Sequence, residues 1–176
     1  MSNLVKNILR FILLLFIQIF VLNQIPALHH LINPYIYFVF ILWLPFDVGR
    51  RTLMVLAFTV GIVLDFFTKT PGLHASACVL IAYLRPFIIN LLISQQNSEN
   101  NYEEPSIKSL GLAPYFTYVT VLTFVHHIFL FFIEALEFGG VFYFFAKTIL
   151  SLLVSLLLVL ISELLFVRKQ TFRTNT

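Results

Sequence analysis

Residues 52–67 read TLMVLAFTVGIVLDFF, with Asp65 the one charged group, Arg50 and Arg51 just before it, and Lys69, Pro71 and Gly72 just after. Apolarity that continues over such a length, without the alternation a barrel strand requires, predicts a helix in lipid. Five further runs of the same kind flank it, at 8–25, 34–46, 73–93, 113–136 and 141–167. The run at 34–46 is short and gains length from Leu28 to Ile32. The chain is therefore expected to be all-α and polytopic, a single integral membrane domain over 1–176 with six transmembrane helices. Hydrophobic residues make up 60% and charged residues 11% of its 176 residues, which leaves no room for a separate soluble module.

Charge sits at the ends of these runs. A net charge of +3 points to nucleic acid in a soluble chain; here membrane topology accounts for it, and no nucleic-acid partner is expected. With the chain start placed in the cytoplasm, that side holds Lys6, Arg10, Arg50, Arg51, Arg85, Lys108, Arg168, Lys169 and Arg173, against Lys69 and Lys147 outside. Both termini are thus expected inside, and the loops at 23–33, 68–72 and 137–140 outside. The first run follows Lys6 and Arg10 and lacks a small-x-small site after it, so it is expected to be an uncleaved anchor. The polar loop at 94–112, with Glu99, Glu103 and Glu104, reads as a solvated cytoplasmic connector. Cys78, the single cysteine, lies within an apolar run, which excludes an internal disulfide.

Polar and small residues recur at helical spacing inside the runs. Ala57, Gly61 and Asp65 share a face of the third run, where small residues allow close helix packing and the carboxylate ties to the following loop. Ion or proton binding is the rarer alternative for Asp65. Ala75, Cys78, Ala82 and Arg85 form a similar stripe on the fourth run, which Pro86 is expected to kink. Arg85 either snorkels to the cytoplasmic interface or pairs with Glu163. In the fifth run Thr117, Thr120, His127 and Glu134 make a polar face, read as an interhelical hydrogen-bond seam with a ligand site or proton relay as alternative, while His126 points elsewhere. Thr148, Ser151, Ser155 and Ser162 line one side of the sixth run. Most tyrosines and Trp43 fall near span ends, and Tyr83 is expected deeper. The pairs His29–His30 and His126–His127 lack metal-ligand spacing, and no serine has a local base and oxyanion site, so no metal, cofactor or catalytic residue is expected.

Pro34, Trp43-Leu44-Pro45, Gly61-Ile62-Val63-Leu64-Asp65, Pro71-Gly72-Leu73 and Ile81-Ala82-Tyr83-Leu84 follow one another in an order and spacing that resembles the bacterial rod shape-determining MreD family. The resemblance covers about 34–84; the 94–112 loop is longer than usual there, and Arg85-Pro86 is a departure. It implies a non-enzymatic scaffold in the inner (cytoplasmic) membrane that helps position peptidoglycan synthesis and maintain rod shape. The partners it implies are a bitopic MreC-like protein, with RodA, a penicillin-binding transpeptidase and actin-like MreB. The family fold is thought similar to the substrate-binding subunits of energy-coupling-factor transporters, so the alternative is a vitamin-type capture subunit. Such subunits dock through an Ala-x-x-x-Ala pair on their first helix, and residues 11–22 contain none. The helix-packing or partner-contact candidates are Ala57, Gly61, Asp65, Gly72, Ala82, Tyr83, Arg85, His127, Glu134, Ser151 and Ser155.

Overall fold

The computed structural model describes residues 3–25, 31–92, 102–138 and 141–165. Their helices are α1 (Asn3–Phe16), α2 (Val39–Trp43), α3 (Arg50–Thr68), α4 (Leu73–Leu92), α5 (Ile107–Leu110), α6 (Leu112–Phe138) and α7 (Val141–Leu165). A wider π turn, Ile17–Val21, and a 3-10 turn, Leu22–Gln24, continue α1. Five helices are long and apolar enough to cross a membrane, counting α1 with its two added turns as one of them. Apolar side chains cover the outside of the bundle: Phe66 and Leu91 are 81% exposed and Phe142 is 85% exposed. Surface of that kind suits hydrocarbon, and the chain has the make-up of a multi-pass membrane protein.

These five helices match the expected runs to within a few residues where they are described. The expected run at 34–46 differs. It forms only the five-residue α2, preceded by non-helical chain from residue 31 and closed by Leu44 in extended conformation. Two prolines account for this. Pro45 disfavours helical geometry at Leu44, and Pro34 supplies no backbone donor. Aromatic and β-branched residues dominate between them and suit extended, packed chain. Residues 36–44 are all buried, so the apolar run is covered by protein, where hydropathy alone had suggested lipid.

Contacts between distant residues define two ends of the bundle. Lys6, Arg10, Trp43, Glu104, Tyr115 and Glu163 meet through ion pairs, hydrogen bonds and a ring contact at what we term the near end. Residues 19–20, 22–25, 32–35, 67–74 and 133–134 surround a cavity at the far end. The 31–46 segment joins the two. Asn33 lies at Ser151 beside the cavity, and the Phe46 N–H donates to the Glu103 carbonyl at the near end, 2.9 Å away.

The expected solvated connector is corrected over its described part. Glu104, Pro105 and Ser106 are buried, and Glu104 accepts from Lys6 at 2.8 Å and from Arg10 at 3.0 Å through both oxygens. Two cations on α1 thus hold the chain before α5, whose start is closed by a reciprocal Ser106–Ser109 capping box. Glu99 and the start of this loop, His29–His30, Arg168, Lys169, Arg173 and the last two residues of the sixth run lie outside the described residues, as do parts of the loops at 23–33 and 137–140.

Candidate functional site

Non-helical backbone inside a membrane protein must find hydrogen-bond partners within the protein, because lipid offers none. In the 31–46 segment side chains from four helical elements supply them. Gln18, on the π turn after α1, is 0% exposed. Its amide oxygen accepts the Ile36 N–H at 2.8 Å while its amide nitrogen donates to the Pro34 carbonyl at 3.1 Å. On α7, Ser151 accepts the Asn33 N–H at 2.9 Å and Ser155 accepts the Tyr35 N–H at 3.0 Å. On α6, the Tyr118 hydroxyl donates to the Leu42 carbonyl at 2.8 Å. On α4, the Arg85 guanidinium donates to the carbonyls of Leu44 and Pro45 and to Tyr118 Oη.

These partners correct several expectations. Arg85 is 2% exposed and neither snorkels nor pairs with Glu163; Glu163 accepts instead from the Tyr115 hydroxyl at 2.8 Å. Ser151 and Ser155 offer no face to another chain, because both are 0% exposed and engaged with the broken segment. The seam on α6 is real only in its second half. His127 donates from Nδ1 to the Thr123 carbonyl and receives the Ser155 hydroxyl at Nε2, whereas Thr117 and Thr120 are exposed on the outer surface. His126 also points inward. Its Nε2 lies 2.8 Å from the Tyr37 hydroxyl, which lies 2.8 Å from Nδ1 of His74. Glu134 pairs with the buried Lys147, whose ammonium lies 5.0 Å from the Phe131 ring centre.

The α3–α4 corner carries the most concentrated polar contacts. Asp65 is 3% exposed, and its Oδ1 accepts from the His74 N–H at 2.8 Å and the Thr70 hydroxyl at 3.1 Å. Oδ2 accepts from the N–H groups of Gly72 at 3.1 Å and Ala75 at 3.0 Å. The carboxylate therefore caps α4 from the end of α3, satisfying donors that a helix start leaves open. Gly72 reaches it with φ +85, a backbone that suits glycine. Four residues before Asp65, a Cβ on Gly61 would fall 2.3 Å from Cα of Ala75. The two helices thus touch backbone to backbone.

Ala57 and Ala82 are 0% exposed and lie in the same core. Tyr83 is 43% exposed on the outside of the bundle, 5.2 Å from the Arg50 guanidinium. Gln18, Tyr37, His74, Tyr118 and Lys147 belong to no pattern that the sequence displays by spacing. A lone polar residue within an apolar run is the available signal for Gln18 and Lys147.

The far-end cavity has a volume of about 1130 Å³. Its polar wall includes Asn23, Gln24, Asn33, Lys69, His74 and Glu134, and its apolar wall includes Phe20, Ile25, Ile32 and Phe67. Among the described residues no three His, Cys, Asp or Glu side chains converge as a metal site. Comparison with protein-family models, with curated proteins and with solved structures finds no match to this chain.

Proposed function

We propose that the chain is a non-enzymatic scaffold of the bacterial inner membrane that binds a bitopic MreC-like partner and helps position peptidoglycan synthesis during cell elongation. The observation that carries this reading is spatial. The residues behind the MreD resemblance meet in two places: Gly61, Asp65 and Gly72 build the α3–α4 corner, and Trp43, Leu44, Ile81 and Ala82 lie in one buried core. A pattern whose members support one another in space is better explained by a shared fold than by chance similarity of apolar runs. The polar groups of the interior are mostly spent on the chain's own backbone, leaving apolar outer faces for other helices. RodA, a penicillin-binding transpeptidase and MreB are the further partners of the proposed assembly.

In this reading the near end faces the cytoplasm with both termini, and the 31–46 segment serves as the sixth crossing in a fold like that of energy-coupling-factor substrate-binding subunits. The basic residues on that side support the orientation. Affinity purification of the full chain from membranes tests the scaffold: recovery of a bitopic MreC-like protein is expected, and its repeated absence overturns the proposal. The far-end cavity favours a second reading, a subunit that captures a vitamin-type solute. Thermal stabilisation of the purified protein by a water-soluble vitamin at micromolar concentration would place that reading first.

A further inference from the structure

The carboxylates around the far-end cavity are engaged within the protein. Glu134 on its wall is paired with Lys147, and Asp65 behind it is saturated by four donors. Lys69 lines the cavity, is exposed, and has no ion pair among the described residues. Its backbone adds a second observation. Lys69 has φ 60, the single positive φ of a non-glycine among the described residues. Glycine or asparagine is the ordinary occupant of such a helix end, so the lysine sits there at a local conformational cost. Its charge complements the end of α3. Asn23 adds to the bias. Its side-chain oxygen already accepts from Gln18 at 2.8 Å, leaving its amide hydrogens for an incoming acceptor. Beside these donors stand Phe20 and Phe67, with ring centres 6.2 Å apart and each about half exposed.

We propose that the far-end cavity binds a phosphate group, held by Lys69 and Asn23, with any attached hydrocarbon lying against Phe20 and Phe67. Lysine binds phosphate as a point charge, and non-helical backbone lining an intramembrane cavity is a recurrent setting for solute sites. The phosphate is carried either by a phospholipid head or by a soluble phosphomonoester. The inference concerns the cavity alone and stands whether or not an MreC-like partner is recovered.

The full chain, purified in a neutral maltoside detergent, is heated with dioleoyl phosphatidylglycerol, with dioleoylglycerol, which carries no phosphate, or with glycerol 3-phosphate at matched ionic strength, and bound lipid is counted by native mass spectrometry. Phosphatidylglycerol alone raising the midpoint identifies a lipid head; glycerol 3-phosphate also doing so identifies a soluble ligand. Lys69→Gly adopts φ 60 without strain, so it folds, and it is expected to bind the effective probe roughly tenfold or more weakly, while Lys69→Arg keeps binding. Failure of both phosphate probes to shift the midpoint overturns the site, as does an unchanged response in Lys69→Gly or an equal response to dioleoylglycerol.

Discussion

Ser155 accepts the main-chain N–H of Tyr35 at 3.0 Å and donates its own hydroxyl to Nε2 of His127 at 2.9 Å. In a continuous helix that N–H would have found a carbonyl four residues back. Here it is satisfied from another helix, 120 positions along the chain. Ser155→Ala strands the buried Nε2 of His127 and the partly buried N–H of Tyr35, each costing about 1–3 kcal/mol. Denaturation in mixed micelles should show a loss of about 2–4 kcal/mol for Ser155→Ala. Ser162→Ala, whose hydroxyl bonds only the nearby Val159 carbonyl, should change little. Equal effects of the two variants would mean that the broken segment does not depend on its borrowed partner.

Asp65 distinguishes a cap from a proton carrier. Each carboxylate oxygen accepts two donors, so Asp65→Asn must turn an amide group against at least two of them. Both Asp65→Asn and Asp65→Ala are expected to lose about 3 kcal/mol, in the range of charge-assisted bonds at a cap. Hydrogen exchange should locate the loss at the first turn of α4. If Asp65→Asn is as stable as the parent, the carboxylate is not needed as a cap.

The boundaries of α3, α4, α6 and α7 were legible because a lipid-length apolar run has few other solutions. The Ala57, Gly61 and Asp65 face was legible because helical periodicity fixes which residues share a side. The broken segment was not, since PYIYFVFILWLPF is equally apolar against lipid and against protein, and composition does not tell one surrounding from the other. Its two prolines carried the only local sign of a break. The partner of Arg85 was hidden for a related reason: matching charge by depth nominates Glu163, whereas the available acceptors are backbone carbonyls freed by the break. Only once the missing helix is seen do Gln18, Ser151, Ser155, Tyr118 and Arg85 read as one set.

Gly61 and Gly72 should fail for different reasons. A side chain at Gly61 meets the backbone of Ala75, which has no rotamer to yield. Gly61→Ala is expected to cost at least the roughly 1–3 kcal/mol of overpacking, and Gly61→Leu to leave no folded protein in the membrane. A methyl group added at Gly72 would meet no other heavy atom within 4 Å, so Gly72→Ala incurs only the backbone penalty of about 1–2 kcal/mol. Size-exclusion profiles and unfolding midpoints would rank the three; a monodisperse, stable Gly61→Leu would contradict the close approach of α3 and α4.

Arg85 and Glu163 permit a direct test of pairing by charge reversal. Because the guanidinium is spent on Tyr118, Leu44 and Pro45, and Glu163 on Tyr115, swapping the two charges restores neither set of bonds. Arg85→Glu should abolish accumulation, and adding Glu163→Arg should not recover it. Arg85→Lys should also be destabilised, since one ammonium does not reproduce the fork that spans a hydroxyl and two carbonyls. Rescue by the double reversal would reinstate the ion pair expected from depth alone.

At the near end, Glu104 holds α1 to the chain ahead of α5. Its side chain and that of Arg10 are each 10% exposed, so the pair is shielded from bulk salt, and Lys6 adds a third, more exposed charge. Glu104→Gln removes the carboxylate that Arg10 and Lys6 share, and breaking a buried pair costs about 3 kcal/mol. The loss should be local. Amide exchange over residues 102–111 should accelerate while the α3–α4 corner stays protected, and raising salt should mimic the substitution only weakly because screening acts mainly on exposed charge. If exchange over 102–111 is unchanged in Glu104→Gln, the ion pairs do not hold the segment.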